Sequence, residues 1–197
     1  MRIITGIAKG RRLKMPKGGK TRPAMDKVKG ATFNIISSIT KGSKFLDLFA
    51  GSGNLGIEAL SRGAELAVFV DMSRECVKTF YENLEMTGLK EKGIVISQDC
   101  LKFLKRKNLS LDVFDVVFID PPYLKGLLEP LLDYIPNCDL FDSDTLFIIE
   151  RQKRDDIHLE KKPELILTDE RNFGDTVISF FQIKEKSAQN LDEGLLD

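Results

Sequence analysis

The sequence predicts an α/β fold: a mostly parallel seven-stranded sheet with an antiparallel last strand, preceded by a basic β-hairpin and a helix. Three observations predict it. From residue 44 onward, short apolar runs alternate with stretches of helical spacing, as a parallel sheet with crossover helices requires. The run Lys44–Phe49 passes through Gly51 and Gly53 into a helical restart at Leu55 to Leu60. Strand, glycine turn and helix in that order build a ligand site at a sheet's carboxyl edge. The last two runs, at 164–168 and 176–183, have no helical stretch between them and read as an antiparallel finish.

Taken in order, Arg2-Ile3-Ile4 and Arg12-Leu13-Lys14 flank Lys9-Gly10, which reads as a short basic hairpin. Thr21-Arg22-Pro23 has the composition of a helix start, and Val28, Ala31, Thr32, Ile35, Ile36 and Ile39 share one face of a helix over 23–39 that Gly42 ends. Strands follow at 44–49, 65–70, 93–96, 114–119 and 145–149. Helices are expected at 54–61, at 75–86 behind a Ser73 cap, from Asp99 to Leu104, and at 127–134. The expected organisation is residues 1–42 as a basic hairpin and helix suited to a polyanion, 43–184 as the main domain, and 185–197 as a polar tail.

Composition narrows the chemistry. The chain of 197 residues has a single histidine, His158, and three well-separated cysteines, Cys76, Cys100 and Cys138. A histidine-based triad, a zinc site and a disulfide framework are therefore disfavoured, and reduced thiols point to the cytoplasm. Residues 1–20 are basic and polar, unlike a secretory signal. The formal net charge is zero, yet residues 1–44 hold twelve lysines and arginines against one acid, Asp26. Such segregation points to a polyanion held at one end.

Gly51-Ser-Gly53-Asn-Leu-Gly56, with Asp71 twenty positions past Gly51, matches the dinucleotide fingerprint. Three features favour S-adenosylmethionine over a nicotinamide. Asp47 lies where a dinucleotide places pyrophosphate, and an acid there suits a cationic amino acid head. Asp99, after the third strand, is placed to meet an adenine amino group. The fourth strand ends in Asp120-Pro121-Pro122-Tyr123, which hydride transfer does not require. An exocyclic base amine is a poor nucleophile because its lone pair is delocalised into the ring. A carboxylate and a rigid backbone carbonyl accepting its hydrogens would point that lone pair at a methyl group. Tyr123 could stack on the flipped base.

At this point the sequence resembles a known family. Phe45 to Gly63, with Met1-Arg-Ile-Ile-Thr-Gly, Gly10-Arg-Arg-Leu, Thr21-Arg-Pro, Phe33-Asn34, Asp120-Pro-Pro-Tyr and Phe173-Gly-Asp-Thr176, is similar to the bacterial RsmD family of 16S rRNA guanine-N2 methyltransferases. The resemblance implies a Rossmann-like class I methyltransferase with S-adenosylmethionine as donor. It also implies a guanine of 16S rRNA as substrate, at the position numbered 966, within a 30S subunit or an assembly intermediate. Transfer from a sulfonium needs no metal, and a monomer is expected because no interface stripe is left over. The donor site would comprise Asp47, Phe49, Gly51, Gly53, Asp71, Met72, Asp99 and Cys100. Asp120, Pro121, Pro122 and Tyr123 would hold the base, while Arg2, Lys9, Arg11, Arg12, Lys14 and Arg22 would face RNA.

Two positions depart from the family pattern. Ala24 stands where a hydroxyl residue is usual, and Gly30 where a glutamate is usual. A glycine within a helix costs about 1 kcal/mol relative to alanine. A DNA adenine-N6 or protein glutamine methyltransferase, and an RNA-binding assembly factor with a vestigial donor site, are the alternatives. Asp rather than Asn at 120 and the basic N-terminus favour nucleic acid over protein.

Overall fold

A computed structural model of the chain describes residues 1–16, 23–107, 111–122, 126–155, 157–158 and 161–185. The strands are β1 (Lys44–Leu48), β2 (Leu66–Asp71), β3 (Gly93–Ser97), β4 (Val116–Ile119), β5 (Leu146–Gln152), β6 (Leu165–Phe173) and β7 (Thr176–Ile183). They form one seven-stranded sheet in the order β3-β2-β1-β4-β5-β7-β6. The first five strands run parallel, and β7 lies antiparallel between β5 and β6. Strand order reverses at β1, which has β2 on one side and β4 on the other. A crevice at that point is where open α/β sheets hold ligands.

The helices are α1 (Pro23–Ile35), α2 (Ser37–Thr40), α3 (Asn54–Ser61), α4 (Arg74–Thr87), α5 (Cys100–Leu104) and α6 (Leu128–Tyr134). Each face of the sheet buries its own apolar layer. Phe45, Phe69, Phe118, Ile148 and Phe180 point to the side of α1, α3 and α4, where Phe33, Phe45 and Phe118 stack with centroids 5.5–6.3 Å apart. Leu46, Val68, Val117, Phe147 and Phe181 point to the α5 and α6 side. Burial on both faces explains why β2 and β4 read as near-continuous apolar runs and β1 as one interrupted only by Asp47.

Helix starts behave as their caps dictate. The Ser73 hydroxyl accepts from the Cys76 N–H at 3.4 Å, and the Asp99 carboxylate accepts from the Lys102 N–H at 2.9 Å. No helix among the described residues is long and apolar enough to cross a membrane.

Three elements differ from the sequence expectation. The helix expected over 23–39 breaks at Ile36 into α1 and α2, and the Thr32 and Thr40 hydroxyls bond back to carbonyls four residues earlier, a pattern that bends helices. Its buried face is also rotated: Lys29 and Phe33 point inward, while Ile35 and Ile39 are exposed. The Phe33 ring fills the space over Phe45 and Phe118, with Arg62 stacked 4.9 Å from its centroid. β6 extends well past its expected end, because it pairs with β7 through a bulge between Leu167 and Asp169.

The N-terminal hairpin forms one antiparallel bridge, Arg2 with Arg12, flanked by Ile3 N–H to Arg11 O (2.9 Å) and Leu13 N–H to Met1 O (3.1 Å). Its loop is longer than a turn at Lys9-Gly10 because it grips α3. The Ile4 and Thr5 N–H groups donate to the Glu58 carboxylate at 2.8 and 3.1 Å, and Ala8 N–H donates to the Ser61 hydroxyl at 3.0 Å. Gly6 allows that approach. It has φ of +89°, and a Cβ there would lie 1.8 Å from the Ser61 carbonyl oxygen.

Candidate active site and donor cleft

Four carboxylates stand on one face of the sheet at the carboxyl ends of its parallel strands. Asp47 of β1 is in register with Phe69 of β2 and Phe118 of β4, and Phe118 with Ile148 of β5. Alternate residues share a face, so Asp71, Asp120 and Glu150, each two positions further on, share the Asp47 side. Among the described residues no three metal-binding side chains converge on one point.

The glycine turn is built around the first two acids. Asp47 is buried, and its carboxylate accepts from the Gly56 N–H at 2.9 Å, tying β1 to the first turn of α3. Burial, opposed by that hydrogen bond and reinforced by Asp71, pushes its pKa up to about 7. Asp71 accepts from Gly51 N–H at 3.1 Å and Ser73 N–H at 2.8 Å, one on each oxygen. Gly51 and Gly53 have φ of +57° and +74°. At Gly56 a Cβ would lie 2.4 Å from the Phe69 ring, so the helix can approach the strand this closely only with glycine there.

Phe49 is the one non-glycine residue with positive φ (62°) among the described residues. Such a backbone costs of order 1–3 kcal/mol and concentrates at ligand clamps. Burial pushes the pKa of the nearby Cys100 thiol up to about 12, so Cys100 packs as a neutral group. Met72 is 73% exposed directly beyond Asp71, and Asp99 caps α5 with one oxygen.

At the β4 end, Pro121 is buried and Pro122 exposed. Asp120 and Glu150 line a narrow cleft with Lys29, Thr32 and Asn54. Burial first, then Glu150 and Asp47, raise the Asp120 pKa well above the ordinary carboxylate range. Tyr123 lies outside the described residues, as does Arg22.

The basic residues divide into different roles. Arg2, Lys9 and Arg12 are exposed on the N-terminal segment. Arg11 donates to the Met86 carbonyl near the α4 C-terminus at 3.0 Å, and Lys14 pairs with Glu82 at 2.9 Å, so both also fasten the segment to α4. Lys44 pairs with Asp112 at 2.7 Å, at the amino end of the central strand β1. Lys29 is buried; its ammonium donates to Asn54 Oδ1 (2.6 Å) and Arg2 O (2.7 Å) and meets Glu58 at 3.1 Å. Burial lowers its pKa against the pull of Glu58.

Sequence reasoning did not single out Glu58, Asn83 or Glu150, and counted Lys29 only as part of the basic excess. Asn83 is buried, donates to Ser52 O (2.9 Å) and Lys14 O (3.0 Å), and accepts from Lys14 N–H (2.8 Å). One amide thereby joins the glycine turn to the basic segment. The available signal was polar residues at apolar-phase positions, such as Glu58 within Leu55-Gly-Ile-Glu-Ala-Leu60.

A family likeness runs through this whole arrangement. The family described as "Conserved hypothetical protein 95" matches residues 1–182. The chain belongs to that family. It is 36% identical over 182 residues, 92% of this chain and 98% of the other, to "Putative rRNA methyltransferase YlbH" of Bacillus subtilis. It is 33% identical over 152 residues, 77% of this chain and 75% of the other, to Ribosomal RNA small subunit methyltransferase D of Escherichia coli. The solved structure "Putative methyltransferase yhhF from Escherichia coli" shares the fold with a TM-score of 0.81 at 29% identity, over 94% of this chain and 99% of that one. The RsmD resemblance and the class I methyltransferase fold expected from the sequence are thus borne out.

The cleft of this family member fits S-adenosylmethionine on its own chemistry. Asp47, a carboxylate taken out of water and shifted toward neutrality, favours a nearby cation such as an amino acid head or a sulfonium. Asp71 at the β2 end retains lone pairs for a ribose diol. At Gly51 a Cβ would meet only the Phe49 carbonyl oxygen, at 3.8 Å, so the turn leaves open space there, and Asp99 follows the next strand, β3.

Proposed function

We propose that the protein transfers a methyl group from S-adenosylmethionine to the exocyclic N2 amine of a guanine in 16S rRNA of the small ribosomal subunit. The observation that carries this reading is Asp120, which opens the Asp120-Pro121-Pro122 stretch at the β4 end on the same face of the sheet as Asp47 and Asp71. The likeness to ribosomal RNA methyltransferases over nearly the full chain supports RNA as the substrate class. Such a substrate is met in the cytoplasm.

The donor supplies an electrophilic methyl on a sulfonium, whose bonding electrons return to sulfur as a neutral thioether. Asp47, Asp71 and Asp99 hold its amino acid, ribose and adenine portions, with Phe49, Met72 and Cys100 shaping the walls. Asp120 accepts one hydrogen of the base amine and takes the proton that leaves as nitrogen gains carbon. A carbonyl of the rigid Asp-Pro-Pro stretch accepts the other hydrogen and turns the lone pair toward the methyl. Catalysis is then mainly positioning and electrostatics.

Residues 1–42 form the RNA-facing part, with Arg2, Lys9, Arg12 and Arg22 on phosphates. Arg11 and Lys14 add to that surface while bonding α4. In support, Asn83 donates to both Lys14 O and Ser52 O, and Lys29 to both Arg2 O and Asn54, so the N-terminal segment is joined to the glycine turn and the start of α3. Labelled methyl transfer to 30S subunits that lack the modification, read at the level of nucleosides, tests the proposal.

A further inference from the structure

Position 83 lies in the second half of α4, between the buried Phe80 and Leu84, and is sealed from solvent. A leucine would suit that packing, and an amide there is unfavourable unless its polar atoms are bonded. Asn83 uses both of its donors and accepts one bond. Its Nδ2 donates to Ser52 O at 2.9 Å and to Lys14 O at 3.0 Å, and its Oδ1 accepts from Lys14 N–H at 2.8 Å. One side chain thus holds both backbone groups of Lys14 and the middle of the glycine turn.

That turn carries Phe49, Gly51 and Gly53 at positive φ, a shape that persists where the surroundings fix it. Strand β2 supplies two anchors: Ala50 N–H donates to Val70 O at 3.2 Å, and Gly51 N–H to Asp71 at 3.1 Å. Those two belong to the sheet. The third, Asn83 on Ser52 O, is shared with the N-terminal segment. Lys9 and Arg12 of that segment are exposed, and Arg12 lies two residues before Lys14. A polyanion that clamps them steadies Lys14, and through Asn83 it steadies Ser52.

Resting on the rRNA methyl-transfer reading above, we propose that Asn83 is a positioning residue that makes donor and RNA bind with positive coupling. RNA on the N-terminal segment keeps Asn83 in place, and with it the turn in the shape the donor meets. By reciprocity, donor on the turn strengthens RNA binding by the same factor. Asn83 is buried, meets neither ligand itself and takes part in no covalent step. The coupling acts through the parts common to donor and product. S-adenosylhomocysteine, which has no methyl to transfer, therefore serves as the probe.

The test measures affinity for 30S subunits lacking the modification, by filter binding, with and without saturating S-adenosylhomocysteine. The wild-type protein is expected to bind subunits about 10-fold more tightly with it, within the range usual for coupled sites. Asn83→Leu, similar in volume and without hydrogen-bonding side-chain atoms, should bring that factor below about 2-fold. Under turnover it should raise both KM values more than it lowers kcat. Thr145→Val is the control. It removes a buried hydroxyl that donates to Phe114 O at 2.8 Å, at the amino end of β5, and should keep the wild-type factor.

A wild-type protein whose subunit affinity ignores S-adenosylhomocysteine would overturn the proposal without need of any variant. Full coupling in Asn83→Leu would overturn it and leave Asn83 a structural residue. Equal loss of coupling in Thr145→Val would do the same, by tracing the effect to stability alone. Failure of the wild type to bind S-adenosylhomocysteine or subunits at all would instead sink the rRNA methyl-transfer reading, and this inference with it.

Discussion

The Lys29 ammonium lies 3.1 Å from the Glu58 carboxylate, and both side chains are essentially sealed from solvent. Glu58 also accepts from the Ile4 and Thr5 N–H groups and from Arg62 at 2.8 Å. One carboxylate therefore joins the N-terminal segment, α1 and α3. Removing one member of a buried charge pair costs about 3–5 kcal/mol, because the other is left uncompensated. Glu58→Gln is expected to lower the melting temperature by roughly 6–20 °C for a domain of this size. Combining it with Lys29→Met should recover part of that loss. Strictly additive losses in thermal melts would contradict the coupling.

Asp47 makes stability depend on pH in a definite direction. Its pKa is about 7 in the fold against an ordinary value of 3.8. Between those values the folded chain holds a proton that the unfolded chain has released, so stability falls as pH rises and levels off above about 7. The shift corresponds to about 4 kcal/mol, as an order of magnitude. Asp47→Asn should remove this slope and be at least as stable as wild type at pH 8. Urea midpoints at pH 5.5 and 8 check it, and an unchanged slope in the variant would assign the effect elsewhere.

Under the proposed function, the same group links pH to the donor. A bound cation favours the Asp47 anion, so binding of S-adenosylmethionine near pH 6 should release protons, and affinity should rise with pH toward about 7. Calorimetry in two buffers of different ionisation enthalpy reads the proton directly. Equal heats in both buffers would separate Asp47 from the donor head.

Asp120→Ala is expected to abolish turnover, by at least about 1000-fold, while donor affinity stays within about 3-fold, because its bonds form to the reacting amine. A matching loss of donor affinity would move Asp120 into the donor site.

Lys9 and Arg12 are exposed, whereas Arg11 and Lys14 also bond α4. Lys9→Glu with Arg12→Glu should therefore weaken RNA binding without loosening the segment. The slope of log affinity against log salt should fall by about 1 for each phosphate that no longer meets a cation. An unchanged slope would place the RNA elsewhere.

Much of this was legible in the residues. The strand–turn–helix at 44–61 and the alternation after it set the sheet, because burial on both faces writes continuous apolar runs into the parallel strands. Ser73 announced its helix, since a cap is a local interaction, whereas the capping role of Asp99 was not read from the sequence. The long-range pairings were not legible. Lys29 reads as one more basic residue until Glu58, 29 positions away, is brought beside it. The α1 face was misjudged by a rotation, because Phe33 meets rings supplied by β1 and β4. That Glu150 stands near Asp120 shows only once β4 and β5 are in register.

The most direct measurement is transfer of labelled methyl from S-adenosylmethionine to 30S subunits from a strain lacking the modification, followed by nucleoside digestion. N2-methylguanosine as the labelled product is the expected result, with none from Asp120→Ala. Label in N6-methyladenosine, or no label despite intact donor binding, would contradict the proposed chemistry.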